Sequence, residues 1–546
     1  MIRLHAQAAP ESRPCSFPNQ TFPPQTLSPR INAKTGKMAR LGWPLLALAG
    51  GLLAGCGGGG GGNSPNAVAN PPSIASTVPT TGSTQTLNTG SISATFDRAM
   101  DPASLNTATF TLACPQGTAV PGAVSYDAAS RTATLKPAAM LPADVSCTAT
   151  IGTGAKDTMG VAIASGFTWS FKTTLDPVVA TEGKQTFRFD TFGDETQWTD
   201  TLRMHEVIAS AVDPTTALSV GLKVDAEALP PTVVAGIQNG SISLTSTDTT
   251  IALLKLNAVV GIKGTVETVN GKDTLTHVGI TCALCHSTVD NSFAPGIGKR
   301  LDGWPNRDLN PGLIISLSPA LTAAQKAVYA SWGKGMFDPR FNFDGINGPQ
   351  VISPAYGLAG INSITSTGDG KDIAYWNRYV GVTQMGGHGT FTEPRTGVNR
   401  TNGTDDLITS KLPALQAYQL TLPAPPAPAG SFDTAAAKRG EALFNGKGGC
   451  VACHSGPEFT DANTRLHAPS EVASEPEPNG VPSYASRTAT KQYRTAPLKG
   501  VWQHPPYFHN GSATTLKDVV TAYNSKKSLG LSSTEITDLA EYVKSL

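Results

Sequence analysis

The chain has 546 residues, with 41 basic and 40 acidic side chains and a formal charge of +1 at neutral pH. That balance supplies no long-range field for nucleic acid or a polyanionic surface, so no nucleic-acid partner is expected. Its 56 glycines and 41 prolines point to long connections and modest helix content, in a chain long enough for two or three domains.

In chain order, the first organised feature is an export pattern. Met38-Ala-Arg-Leu opens a short positive segment, and Leu41 to Leu53 is apolar but too short for a convincing membrane span. It ends in Leu53-Ala-Gly-Cys56, which resembles a bacterial lipobox. Residues 38–56 therefore read as a lipoprotein signal peptide with lipid modification at Cys56; an uncleaved membrane anchor is the alternative. Gly57 after that cysteine implies, by the same resemblance, an outer-membrane lipoprotein facing the periplasm or the outside, in membrane contact through its lipid anchor. Residues 57–71, glycine-rich and then Asn63-Ser-Pro-Asn66, read as a flexible tether. Residues 1–37 are polar and proline-rich, and translation is expected to start at Met38.

Residues 72–175 carry short alternating runs separated by turn residues: Ser91-Ile-Ser-Ala-Thr-Phe96, Arg131-Thr-Ala-Thr-Leu-Lys136 and Phe167-Thr-Trp-Ser-Phe-Lys172. That pattern predicts a β-sandwich. It resembles the bacterial Ig-like modules, on Ala94-Thr95-Phe96 with Met100-Asp101. Cys114 and Cys147 fall in separate candidate strands, and an oxidising compartment allows them to pair. Such a bond closes a loop of about 33 residues and contributes roughly 3–4 kcal/mol. The segment has no histidine, which disfavours metal binding, and it reads as a spacer or adhesion module.

Two Cys-x-x-Cys-His pentads follow, Cys282-Ala-Leu-Cys285-His286 and Cys450-Val-Ala-Cys453-His454. Each supplies two thiols for thioether attachment to haem vinyl groups and an imidazole for the iron. One copy alone also reads as a redox dithiol or half of a zinc site. Two copies use four of the eight cysteines and leave no further Cys-x-x-Cys pair to complete zinc sites. The pattern predicts two covalently attached haem c groups, with His286 and His454 as proximal ligands.

Residues 182–430 read as a first cytochrome c-like haem domain with an insertion. Gly183-Lys-Gln-Thr-Phe187 opens it, but the pentad arrives only at Cys282, after Trp198, Met204, His205 and a partly alternating run from Ile242 to Leu256. Asn291 to Gly298 and Leu301 to Asp308 are too rich in turn formers for a helix. They are expected to wrap the haem, with Arg300 and Arg307 as propionate partners or as plain surface arginines. Gln384-Met-Gly-Gly-His388-Gly is expected to be a flexible loop offering Met385 or His388 as a ligand; a core methionine and a loop histidine are the alternatives. Trp304 and Trp376 either assist electron transfer or pack.

Residues 431–546 read as a second such domain. Ser431 to Gly446 is a predicted helix whose Gly440 and Phe444 share a face. Ser532-Ser-Thr-Glu535 is a capping box for a last helix with Ile536, Leu539, Tyr542 and Val543 on its apolar side. N- and C-terminal helices crossing beside a haem are the cytochrome c arrangement. No methionine follows His454, so the second haem has no methionine ligand within its own domain.

Tyr493-Arg-Thr-Ala-Pro-Leu-Lys-Gly500, Pro506-Tyr-Phe-His-Asn-Gly-Ser512 and Thr515-Leu-Lys-Asp-Val-Val-Thr-Ala-Tyr-Asn524 resemble the C-terminal domain of bacterial dihaem cytochrome c peroxidases. That superfamily includes the dihaem enzyme that matures the tryptophan tryptophylquinone cofactor and the dihaem rubber oxygenase. The likeness is good over 431–546 and weaker over 182–430. It implies a multidomain chain: an Ig-like β-sandwich, then two mainly α-helical cytochrome c-type haem domains with long loops. Where the peroxidases carry the second haem's methionine, counted from His509, this chain has Tyr523, which becomes the leading sixth ligand; His504 and His509 are alternatives. The resemblance implies peroxide chemistry at the first haem, with His388, Gln384 and Glu393 as its polar groups. It also implies electron entry at the second haem from a small redox protein or quinone-linked donor. Calcium is a further implied group, with Asp338, Asn342, Asp344 and Asn347 as donors or as a solvated loop. Two other functions stay open. One is a non-enzymatic envelope electron carrier. The other is a rubber-oxygenase-like dioxygenase acting on dioxygen and an organic substrate, with Leu313-Ile-Ile-Ser-Leu317 beside its channel.

Overall fold

Residues 70–546 are described by the computed structural model, apart from 341, 342 and 371. The signal peptide, Cys56, nearly all of the tether and Asn342 lie outside the described residues. No described helix is long and apolar enough to cross a membrane.

The N-terminal strands are β1 (Ile74–Val78), β2 (Thr86–Leu87), β3 (Ile92–Phe96), β4 (Phe110–Ala113), β5 (Gly122–Asp127), β6 (Thr132–Pro137), β7 (Ser146–Ile151) and β8 (Phe167–Thr174). They form two four-stranded sheets, in the orders β1-β3-β6-β5 and β2-β8-β7-β4. The two-residue period sends Ile92, Ala94 and Phe96 from one sheet, and Ala149, Ile151, Trp169 and Phe171 from the other, into one core. Ala113 lies opposite Thr148, so the next pair along is Cys114 beside Cys147, and these two form a disulfide within that sheet. The sandwich is sewn to the helical region at Asp176. Its carboxylate caps the next helix by accepting from Val178 N and also accepts from Thr89, while its own N–H donates to Asn88.

Beyond Asp176 the chain is mainly helical with long loops, and it uses one crossing design twice. Helix Pro177–Phe189 packs on Leu412–Leu420, and helix Thr434–Asn445 packs on Ser533–Ser545. At each crossing a glycine lets the partner's backbone in. A Cβ on Gly183 would sit 2.0 Å from the Ala414 carbonyl oxygen, and one on Gly440 would sit 2.0 Å from that of Asp538. Four residues on, Phe187 meets Tyr418 edge-on at 5.7 Å and Phe444 meets Tyr542 at 5.2 Å. The Ser532 capping box forms as its spacing predicts. Buried Asp302 accepts from Arg188, Tyr418 and Ser287, so both helices of the first crossing are tied to the strand that follows the first pentad.

The segment between the first helix and the first pentad is a cluster of short helices and a hairpin, Ile262–Val269 with Lys272–Ile280, that delivers the chain to Cys282. The run from Ile242 to Leu256, read as partly alternating, contains helix Thr247–Lys255. Thr250, Ile251, Leu253 and Leu254 are all buried there, and a helix enclosed on several sides lacks the single apolar stripe that marks its period. The expected loop around Met385 is also ordered. Gly381–Met385 extends helix Ile373–Val380 as a π-helical turn, and Gly389–Glu393 pairs with Val398–Asn402.

Two outcomes are expected. Gly440→Ala should lower stability by about 1–3 kcal/mol through overpacking, although alanine favours an isolated helix; a neutral thermal unfolding result contradicts the close crossing. Replacing Cys114 and Cys147 together by alanine should cost about 2–4 kcal/mol in denaturant unfolding of the β-sandwich.

Candidate functional site

Each pentad forms part of the wall of a cavity. The first cavity, of about 150 Å³, is lined by Cys282, Cys285 and His286 together with Trp198, Phe337, Gln350, Trp376, Gln384, Met385 and Tyr484. The second, of about 360 Å³, is lined by Cys450, Cys453 and His454 with Arg307, His467, Tyr493, Arg494, His504, His509 and Tyr523. Val351, Ser353, Pro354 and Ser366 line both, so the two cavities share a wall.

Both pentad imidazoles are prepared in the same way. His286 Nδ1 lies 3.0 Å from the Ser353 carbonyl oxygen, and His454 Nδ1 lies 3.0 Å from that of Phe459. A carbonyl only accepts, so Nδ1 carries the proton and Nε2 keeps its lone pair for a metal. Burial pushes His286 down to about 4, against the partial support of the Ser353 carbonyl, and lowers His454 likewise. Neutral imidazole is the ligating form. Burial also raises Cys282 and Cys285 to about 12 and Cys450 to about 11.

The second cavity fits a dianionic, largely apolar group such as haem. The Nε atoms of Arg307 and Arg494 are buried with no hydrogen-bond partner, and burial brings both guanidiniums down to about 10. Their other contacts are carbonyls: Arg307 donates to Pro506 and Arg494 to Ser363, each at 3.1 Å. Buried cations facing a cavity without carboxylate partners call for an anion inside it, and the two propionates of a haem answer that demand. His504 Nδ1 is likewise buried without a partner, and its imidazole is depressed to about 3 by burial and then by the Arg307 charge. Burial raises the Tyr523 phenol, against a hydrogen bond with the Ala473 backbone.

The expected site residues divide. Among the proposed ligands, Tyr523, His504 and His509 line the second cavity and Met385 the first. His509 has both nitrogens engaged, Nδ1 with Ser474 at 3.1 Å and Nε2 with Glu477 at 2.6 Å, so it is not free to ligate. Of the three polar groups expected at the first haem, only Gln384 lines the first cavity, where its amide donates to the Pro339 carbonyl. His388 turns to Asp405, at 2.8 Å from Nδ1. Glu393 turns to Arg395 and Tyr375, and the Arg395 hydrogen bonds hold its carboxyl down at about 2. Glu393 ends the first strand of the hairpin after Met385 and His388 directly precedes that strand, and neither lines the cavity.

Other expectations shift as well. Arg300 pairs with Asp225 at 3.0 Å and lines neither cavity, while Arg307 reaches the second cavity and not the first. Trp376 lines the first cavity; Trp304 packs between Tyr356 and Trp502 outside both. Ile315, from the apolar stretch Leu313–Leu317, lines the first cavity. Two of the expected calcium donors are taken by a cation of the chain itself. The Arg487 guanidinium binds Asp338, Asp344 and the carbonyls of Ile346 and Gly348, and Asn347 is engaged with Trp332 and Ser331.

Gln350, Tyr484, His467 and Arg494 escape the reading of the sequence. Gln350 lines the first cavity and its Oε1 is buried without a partner; Tyr484 reaches the same cavity from a segment beyond the second pentad. His467 is buried beneath the second cavity, bonded to Asp461 and Thr495. Only Arg494 had a signal, its place inside the Tyr493–Gly500 motif.

Comparison with known proteins agrees with this picture. A bacterial Ig-like domain model matches residues 68–173, and a RoxA-like, cytochrome c-like model matches residues 492–528. The chain is 32% identical over 152 residues to cytochrome-c peroxidase IdrP1 of Denitromonas iodatirespirans, covering 21% of this chain and 40% of that protein. It is 38% identical over 88 residues to the methylamine utilization protein MauG of Methylorubrum extorquens, covering 16% of this chain and 24% of the relative. The chain thus spans well under half the length of these relatives. A solved MauG-like protein associated with microbial copper homeostasis aligns with 36% of this chain and 73% of its own at 16% identity, with a TM-score of 0.27. Together the sequence matches establish a superfamily relationship to the dihaem cytochrome c peroxidases, MauG and the RoxA-like proteins, with haem as the general cofactor and an Ig-like module on the N-terminal side.

If Arg494 balances a propionate, Arg494→Met should lower the reduction potential of the second haem by tens of millivolts, on the order expected for one partly screened charge nearby. Potentiometric titration that leaves both potentials unmoved contradicts that pairing.

Proposed function

We propose that this relative of the dihaem peroxidases is itself a dihaem oxidoreductase of the cell envelope, taking electrons at the second haem and using them on peroxide at the first. The observation that carries the reading is the asymmetry of two cavities with a common wall. The second cavity contains a phenol and an unpartnered imidazole, Tyr523 and His504, as strong sixth-ligand candidates. Among the described lining residues of the first, apart from its pentad, the ligand candidate is the Met385 thioether, accompanied by amides, Ser and Thr hydroxyls, the Trp198 indole and the Tyr484 phenol. A strongly six-coordinate iron carries electrons, and a weakly held or open face binds peroxide or dioxygen.

The residues divide the work accordingly. Cys282, Cys285 and His286 hold one haem, and Cys450, Cys453 and His454 the other. Bound there, the haem irons supply electron transfer and the reduction of an oxygen–oxygen bond. Gln384, anchored by the Pro339 carbonyl, and Gln350, with its unpartnered Oε1, orient the oxygen substrate by hydrogen bonds. Tyr484 brings a phenolic O–H into the first cavity; burial raises its pKa and keeps it protonated, so that it would be a hydrogen donor to the departing oxygen. Tyr523 would be the residue that holds the second haem's iron from the cavity side, and as a hard anionic donor it would stabilise ferric iron and set a low potential. A small redox protein or a quinone-linked donor supplies the electrons. The lipid anchor at Cys56 tethers the molecule to the outer membrane, with the Ig-like sandwich as spacer.

One observation favours a second reading, activation of dioxygen for an organic substrate. The described residues that line the first cavity include no carboxylate, and Ile315, Phe337 and Trp376 give it an apolar wall. Carbon monoxide binding to one ferrous haem, with turnover of peroxide to water by a reduced donor, supports the peroxidase. Oxygen incorporation into an organic product supports the oxygenase. Two six-coordinate low-spin haems indifferent to carbon monoxide and peroxide mark the protein as an electron carrier and refute both. Tyr523→Phe should raise the potential of the second haem and change its ferric absorption spectrum, and His504→Leu should do neither; the reverse outcome assigns the ligand to His504.

A further inference from the structure

Three aromatic rings connect the two cavities. Tyr484 lines the first cavity, and its ring stacks on His509 at 6.3 Å with 27° between planes. His509 stacks on Tyr493 at 4.7 Å and 26°, and both of these line the second cavity. The stack is buried and held rigidly. His509 is fixed by Glu477 at 2.6 Å and by Ser474, and Asn510 donates to the other oxygen of Glu477 at 2.8 Å.

Tyr493 has the surroundings of a phenol prepared to lose an electron and a proton together. Its O–H donates to Glu475 Oε1 at 2.5 Å. Its oxygen accepts from the Ala485 N–H at 3.2 Å and lies 3.2 Å from His509 Nε2. Ser483 also donates to Glu475 Oε1, at 2.5 Å. Burial first, and then the Glu475 carboxylate, push the phenol's pKa upward, so it does not ionise ahead of oxidation. A proton acceptor within hydrogen-bond reach removes the cost of forming a cationic phenol radical in a low-dielectric interior.

We infer that Tyr493 is a redox-active residue that stores one oxidising equivalent between the two cavities, with Glu475 as its proton acceptor and the Tyr484–His509 stack as its link to the first cavity. The inference rests on the peroxide reading above. Reduction of one hydrogen peroxide to two waters consumes two electrons and two protons. Tyr493 supplies one of those electrons, while its phenolic proton passes to Glu475 Oε1. The products are a neutral phenoxyl radical and a carboxylic acid. An electron from the external donor then restores the phenol, and the proton returns from Glu475. The other electron would come from the external donor by way of the haems, or from the haems themselves when no donor is present, and the two protons that complete the waters would come from solvent. After oxidation the Ala485 N–H remains as a donor to the phenoxyl oxygen and holds it in place.

The test is electron paramagnetic resonance on ferric holoprotein of counted haem content, frozen after mixing with hydrogen peroxide, with optical spectra on the same samples. A neutral tyrosyl radical is expected, and its splitting should collapse when the protein is made with tyrosine deuterated at the β-carbon. Tyr493→Phe should abolish the radical, and Glu475→Gln, which keeps every ring, should reduce it by about tenfold or more; in both variants the optical response to peroxide should persist. A radical that survives in Tyr493→Phe overturns the inference, as does a wild-type optical response with no radical. Absence of any optical response to peroxide in the wild type overturns the peroxide reading and the stored equivalent with it.

Discussion

The haem-bearing part of this molecule depends on two places where one helix backbone touches another. At Gly183 and Gly440 the partner's carbonyl oxygen occupies the space a Cβ would need. No other residue permits that approach without separating the helices. Because the helices meet at their backbones, the phenylalanine four residues on is driven into the core beside the pentad-bearing segment, and Phe444 lines the second cavity. Asp302 extends the first crossing to the strand after His286, and Arg439 with Asp538 braces the second from outside. The position of each pentad is a consequence of these contacts.

Charge is distributed over the two cavities in opposite ways. The second is cationic, with two buried guanidiniums that have no acidic partner, and it suits an anionic prosthetic group at fixed potential. Beyond its pentad, the first is lined by amides, Ser and Thr hydroxyls, one phenol and apolar side chains, with no carboxylate or guanidinium among the described lining residues. The stacked rings between the cavities, backed by Glu475 and Glu477, bring carboxylates close to the route while keeping them out of the first cavity itself.

Arg487 joins segments on either side of the second pentad. Its guanidinium fills a cup of two carboxylates and two carbonyls provided by residues 338–348, while Arg340 donates to the Arg487 carbonyl in return. The same oxygen donors would serve a hard cation. Here a covalently tethered cation takes their charge, and the surrounding wall, with Gln350 and Val351 a few residues on, is held against the segment that carries Tyr484.

Local chemistry was legible from the chain alone. The pentads, the Gly-x-x-x-Phe helices, the capping box at Ser532, the alternating strands and the opposed Cys114 and Cys147 are short-range patterns whose physics is complete within a few residues. That Tyr523, His504, Gln384 and Met385 line a cavity was also legible, because each stands near a recognisable motif. What tertiary structure alone decided is direction. His388 and Glu393 lie close in sequence to Gln384, yet one hairpin carries them away, and Arg307 faces the second cavity although it comes soon after the first pentad. Gln350 and Tyr484 reach the first cavity, and Arg494 the second, from segments too short to show a period. A side chain's partner across a cavity is set by where two distant backbones cross, and no local pattern encodes that crossing.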